Sequence, residues 1–388
     1  MGYFVPHNKL ENLKQYKYQS EDRSIVTHYV LKPFWRKFAN IFPLWMVPNV
    51  VTLSGFCFII INVLTVLYYD PGLNQETPRW TYFSYAIGLF LYQTFDACDG
   101  MHARRTGQSG PLGELFDHCI DSLNTTLSLF PFCSVTGIGY GYIFIFSQFA
   151  VLANFYLSTW EEYHTHMLFL SEFSGPVEGI LMICSSFVLA GIFGPEVVWH
   201  TKLFSFSLFG FAIEVENVQI MIAFCGVGLL FNVLSARNNV IKHYRKEDNV
   251  TFKEKQLKAM EGLLPFIVYY ISVFTAVAID PNFIDFPFIY SIGLTMAFVV
   301  GRIITAHLTK QSFPMIHPPM LIPSLQIALR CIAVNFLGHS ETIVVTALSW
   351  MGLGLALGIH IMFINDIIYD FTAYLDIYAL SIKHPKVA

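Results

Sequence analysis

Four aspartates fall in one polar stretch of an otherwise apolar chain. Asp96 and Asp99 are three residues apart, Asp117 and Asp121 four, so each pair shares one face of a helix. Around them stand Gly100, Ala103, Arg104, Gly113 and His118. An ionised Asp inside a membrane span costs at least ~2.5–3.5 kcal/mol, so four of them beside apolar runs must face a shared polar cavity. There they repel one another unless cations are bound. Carboxylate and water ligands suit Mg²⁺ or Mn²⁺. Two such ions, about 4 Å apart, would hold a diphosphate and stabilise both the attacking and the leaving oxygen of an in-line displacement. Arg104, with Arg105 behind it, adds fixed positive charge for phosphate oxygens. Gly113, one turn before Asp117, leaves room for close approach to the backbone; Gly100 does the same or ends its helix. A single Asp at a helix end often only caps it. Four acids, two glycines and an arginine on adjoining helix ends exceed what capping explains.

The elements that carry this stretch must be membrane helices. Of 388 residues, 54% are hydrophobic and 13% charged, where a soluble domain carries about 25% charged residues. Mean hydropathy is +0.52. Such a composition excludes a soluble enzyme, a disordered regulator and a nucleic-acid binder. The chain reads as an all-α polytopic integral membrane protein with about ten transmembrane helices. They are expected at 49–69, 81–93, 115–136, 140–158, 176–193, 218–235, 263–279, 286–306, 321–337 and 342–363. The second is short, and its helix is expected to run on into the Asp96–Arg104 stretch.

Basic residues fix the orientation. Arg79 and Lys202 fall on one side of this arrangement and Arg330 inside a span; the other Lys and Arg, from Lys9 and Arg23 to Lys383 and Lys386, lie on the side of the termini. Both termini and the Asp-rich helix ends are therefore expected to be cytoplasmic. The organisation is then an interfacial N-terminal segment (1–48), a catalytic membrane core of six spans (49–236), a basic loop (237–262), and four further spans with a short tail (263–388). The 31–38 stretch mixes bases with aromatics as an interfacial helix does, and as a basic flank that only orients the first span also does. The seven Cys have no paired spacing and read as buried thiols.

The spacing Asp-x2-Asp-Gly-x2-Ala-Arg-x8-Gly-x3-Asp-x3-Asp resembles the signature of the CDP-alcohol phosphotransferases, matched here at every fixed position. Eight fixed residues arise by chance in fewer than about one in a million such chains. Further stretches, Tyr16-Lys-Tyr-Gln-Ser, Phe34-Trp-Arg-Lys, Pro48-Asn49-x2-Thr52, Pro111 through His118 and Trp160-Glu-Glu-Tyr163, are similar to the eukaryotic, particularly fungal, choline/ethanolamine branch. The resemblance implies metal ligands at Asp96, Asp99, Asp117 and Asp121, with Mg²⁺ or Mn²⁺ as two ions. It implies a CDP pocket shaped by Asn49, Thr52, Gly100, Ala103, Arg104 and Gly113. CDP-choline or CDP-ethanolamine would be the donor and sn-1,2-diacylglycerol the acceptor, with release of CMP in an endoplasmic-reticulum membrane; a homodimer is the family expectation. Two residues compete as general base. Asp121 is the family's usual assignment, whereas His118 has an intrinsic pKa near 6.5, closer to working pH, and is favoured.

Other signals compete with this reading. Trp160, Glu161 and Tyr163 could recognise a quaternary ammonium, or sit in an interfacial belt. Glu178, at the start of the fifth span, is a headgroup candidate or an interfacial acid. His164-x-His166 lacks further zinc ligands and reads as loop. Asp366 and Asp370 approach the Asp-rich spacing of membrane prenyltransferases but miss it by one residue, and read as helix-end residues. A cation-coupled transporter would need acids at mid-bilayer and repeated halves, neither of which is visible.

Overall fold

In the computed structural model, residues 2–17, 19–22, 24–170, 175–208, 211–247 and 252–384 are described; Tyr18, Arg23 and Lys386, used above, lie outside them. The chain enters through a 3₁₀ turn (His7–Gln15), the short strand β1 (Ser20–Asp22), a π-helical turn (Thr27–Leu31) and α1 (Lys32–Phe38). Then come α2 (Pro48–Tyr69), α3 (Arg79–Thr106), α4 (Pro111–Leu127), α5 (Leu129–Val135), α6 (Tyr142–Thr165), β2 (Leu168–Leu170), α7 (Pro176–Phe193) and α8 (Pro195–Trp199). The hairpin of β3 (Lys202–Leu208) and β4 (Phe211–Glu216) precedes α9 (Asn217–Glu247), α10 (Phe252–Glu261), α11 (Leu264–Ile279), α12 (Phe286–Leu308), α13 (Ile322–Arg330) and α14 (Glu341–Leu375).

Eight helical stretches among the described residues are long and apolar enough to cross a membrane. The two further expected spans are α3 and the α4–α5 pair, which carry the polar stretch. The second span does run on as helix, and α3 ends only at Gly107, whose left-handed backbone (φ 72°) suits glycine. The third expected span divides at Ser128, because Pro131 has no N–H for the Leu127 carbonyl. α6 and α9 extend beyond their expected ends, to Thr165 and Glu247. Among the described residues the all-α reading holds except for two small two-stranded sheets: β1 pairs parallel with β2, and β3 antiparallel with β4.

One apolar core runs through both halves of the chain, from Ile59 and Tyr92 through Tyr156 to Phe298 and Phe363. α12 is its axis, buried along almost its whole length between α4, α6 and α14. Close approach there needs glycine: a Cβ at Gly301 would stand 2.6 Å from the Phe363 ring. The same holds where α2 meets α3, since a Cβ at Gly55 would lie 2.7 Å from Cβ of Phe95. By contrast α9 leaves Phe224, Val227, Leu230 and Phe231 exposed, as a lipid-facing helix does.

The N-terminal segment wraps the end of the bundle that bears the aspartates. Asn12 donates to the Thr309 carbonyl (2.9 Å), and backbone N–H groups of Tyr3 and Phe4 donate to Asp366 (2.8 and 3.1 Å). Trp35 is buried beside Val51 and Cys98. The seven Cys are unpaired, and Cys98, Cys119, Cys133 and Cys184 are buried.

Candidate active site

α3 and α4 meet at the polar stretch because Gly107 stops one helix and Pro111 opens the next, with its missing N–H at a position that needs none. The turn between them brings the two carboxylate pairs face to face. Oxygens of Asp96, Asp99 and Asp117 all lie within 4.8 Å of one another. Oδ1 of Asp96 and Oδ1 of Asp117 are buried without a hydrogen-bond partner. Neutral hydroxyls hold the other members: Thr52 on α2 donates to Asp99, and Tyr92 on α3 donates to Asp121. Converging carboxylates with orphaned oxygens and mostly neutral donors around them are short of positive charge. The donor set is oxygen throughout, which fits a hard divalent cation such as Mg²⁺ or Mn²⁺.

The expected pocket residues surround this cluster. A Cβ on Gly113 would meet only Oδ1 of Asn49, at 3.9 Å, and one on Gly100 only the Arg104 guanidinium, at 3.7 Å. Both glycines therefore border open space beside the carboxylates rather than tight packing, and Gly100 lies within its helix, not at its end. Arg104 is exposed at the mouth, while Ala103 is buried behind it. Arg105 is committed elsewhere: it donates to the carbonyls of Ala39 and Phe42 (2.6 and 3.0 Å) and so ties α3 to the turn after α1. Asn49 donates from Nδ2 to the Ala379 carbonyl (2.9 Å), so the C-terminal segment borders the same pocket.

His118 opens a second acidic group at the other edge of the same α4 face. Glu114, Asp117, His118 and Asp121 occupy positions i, i+3, i+4 and i+7, a single stripe of that helix. Nε2 of His118 stands 3.5 Å from Oε2 of Glu162, and Glu114, His118 and Glu162 offer ligand atoms within 4.8 Å of one another. The Tyr16 hydroxyl donates to Oε2 of Glu114 (2.6 Å).

The sequence reading missed Tyr16, Tyr92, Glu114 and Glu162. Glu114 was legible as the first member of the α4 stripe. Glu162 stood in a run already singled out, yet only the extension of α6 past Ser158 shows that it, and not Glu161, turns toward His118.

The four headgroup candidates have other partners. The Trp160 indole donates to the Ala259 carbonyl (2.9 Å), Glu161 accepts from Asn239 (2.7 Å), Tyr163 donates to the Gln311 carbonyl (2.7 Å), and Glu178 accepts from Ser24. His164 lies in the last turn of α6 rather than in a loop, buried against Phe313 and 2.8 Å from the Tyr244 hydroxyl. Asp366 and Asp370 sit within α14, which continues to Leu375, and Asp366 anchors the N-terminus.

Residues 45–204 match the family model described as CDP-alcohol phosphatidyltransferase. The chain is 63% identical to cholinephosphotransferase 1 of Saccharomyces cerevisiae and 60% identical to choline/ethanolaminephosphotransferase 1 of the same yeast, each over the full length of both chains. It is 37% identical to choline/ethanolaminephosphotransferase 1 of Arabidopsis thaliana, over 80% of each chain.

Proposed function

Because the chain belongs to the CDP-alcohol phosphatidyltransferase family, we propose that it transfers phosphocholine or phosphoethanolamine from the CDP-alcohol to diacylglycerol. CMP leaves, and phosphatidylcholine or phosphatidylethanolamine forms. Full-length identity of 63% and 60% with a cholinephosphotransferase and a choline/ethanolaminephosphotransferase carries this reading. The convergence of Asp96, Asp99 and Asp117 supplies the site for it. The enzyme is integral to the membrane; we place it in the endoplasmic reticulum with the Asp-bearing end toward the cytoplasm, in line with the sidedness of its basic residues.

Asp96, Asp99, Asp117 and Asp121 would hold Mg²⁺ or Mn²⁺, which neutralises the diphosphate and stabilises the charge that develops on the attacking and leaving oxygens. Arg104 at the mouth pairs with phosphate oxygens. Gly100 and Gly113 leave their backbone bare so that the nucleotide can lie against it, and Thr52 fixes the Asp99 carboxylate. The acceptor hydroxyl attacks the β-phosphorus: the new O–P bond forms as the bond to the CMP oxygen breaks. His118 is assigned the hydroxyl proton. Asp121 already accepts from Tyr92, and a carboxylate engaged that way and shared with a cation is a poor base.

Transfer of a labelled headgroup tests the reading. Purified protein given CDP-[¹⁴C]choline or CDP-[¹⁴C]ethanolamine with diacylglycerol should place label in the organic phase. Label confined to the aqueous phase with both donors contradicts it.

A further inference from the structure

The α4 stripe faces two acidic groups at once. Asp117 and Asp121 turn toward α3, whereas Glu114 and His118 turn toward the last turn of α6, and the four residues span an arc of roughly 100° on an ideal helix. Whatever occupies the Asp group therefore has a second acidic compartment beside it, reached past His118.

That compartment lacks a positive charge of its own. Glu114 and Glu162 are 8% and 3% exposed, and Oε1 of Glu114 and Oε2 of Glu162 have no hydrogen-bond donor. Tyr16 satisfies the other oxygen of Glu114, and His118 approaches Glu162 only to 3.5 Å. Among the described residues, no Lys or Arg pairs with either carboxylate. Two buried, facing carboxylates without a cationic partner are costly unless a cation arrives with a ligand. The surroundings suit an organic one: Tyr16 reaches Glu114 through its hydroxyl, and the Phe155 ring stands 6.4 Å from that of His118. Paired carboxylates with aromatic residues beside them favour an alkylated ammonium, which offers no hydrogen bonds and is held by charge and ring faces.

We propose that Glu114 and Glu162 form the subsite for the cationic end of the CDP-alcohol, the trimethylammonium of choline or the ammonium of ethanolamine. This assignment rests on the nucleotide-alcohol reading of the Asp site. A donor whose diphosphate lies on the Asp group would direct its alcohol along α4 into the Glu group, so that one wall of one helix orients both ends of the transferred unit. Trp160, Glu161 and Tyr163 are then structural, in keeping with their partners.

Equilibrium binding without diacylglycerol separates this role from others. CDP-choline, CDP-ethanolamine and CDP, which lacks the alcohol, are titrated in Mg²⁺ against wild-type protein, Glu162→Gln and Glu114→Gln. Each variant should bind the two CDP-alcohols at least tenfold more weakly and CDP within twofold of wild type; retained CDP affinity also reports an intact fold. An equal loss of CDP affinity overturns the subsite, as does unchanged affinity for all three with only kcat reduced, which would make Glu162 a partner of His118 alone. Loss of one bound Mn²⁺ per chain in Glu162→Gln, with CDP-alcohol affinity kept, overturns it in favour of a metal site. Wild-type protein that binds none of the three nucleotides contradicts the nucleotide reading itself and the subsite with it.

Discussion

The Tyr92 hydroxyl donates to Oδ1 of Asp121, joining α3 to α4 one turn before Asp96 begins the acidic cluster. Tyr92 is almost fully buried, so this hydroxyl has no route to solvent and its one acceptor is a metal-ligand candidate. Partners of this kind orient a ligand and tune its basicity.

Tyr92→Phe should keep the fold and raise the Mg²⁺ or Mn²⁺ concentration for half-maximal activity by about 10–100-fold, the usual cost of losing a ligand's hydrogen-bonding partner. Metal titration of CMP release by the variant measures this; an unchanged titration would detach Tyr92 from the metal site.

Asp96→Asn and Asp117→Asn should abolish turnover without lowering stability. Each removes one charge from a group of carboxylates that, among the described residues, form no ion pair with Lys or Arg, so metal-free protein should melt at the same or a higher temperature. Stabilisation by added Mg²⁺, which follows mass action in the wild type, should vanish. Thermal melts with and without metal check both halves.

The neighbouring arginines should separate cleanly. Arg105→Ala breaks two bonds to backbone carbonyls and should cost about 2 kcal/mol of stability, in the range for hydrogen bonds to charged groups. Its kcat should stay within a few-fold of wild type. Arg104→Ala should leave the melting temperature unchanged and lower kcat/KM for the CDP-alcohol at least tenfold.

Gly113→Ala should be neutral or stabilising, because the added methyl meets nothing nearer than 3.9 Å and alanine gains about 0.5–1 kcal/mol over glycine inside a helix. The same methyl enters the space assigned to the nucleotide, so KM for CDP-choline should rise while the melting temperature holds. A fall in melting temperature alongside the rise in KM would make Gly113 a packing residue.

Much of this architecture was legible in the sequence because lipid leaves a chain few choices. Apolar runs near 20 residues long become helices, and the period of 3.6 places Asp96 with Asp99 and Asp117 with Asp121. What escaped was set by tertiary contact or by single backbone events. Pro131 breaks the third span, though no loss of hydrophobicity marks the place. The hairpin at Lys202–Glu216 follows from a two-residue alternation in Phe204-Ser-Phe-Ser, which a search for spans passes over. Tyr16 and Glu114 are 98 residues apart, so no local pattern joins them. Glu161 and Glu162 differ by 100° on one helix, and only the true end of α6 decides which of them faces His118.

The most direct test of the central claim is CMP release by purified protein in detergent, with diacylglycerol, CDP-choline or CDP-ethanolamine, and Mg²⁺ or Mn²⁺, for wild type beside Asp117→Asn. The account predicts release that requires both diacylglycerol and metal, stops with EDTA, returns when metal is restored, and is absent from the variant. Full activity in EDTA, or in Asp117→Asn, would contradict it.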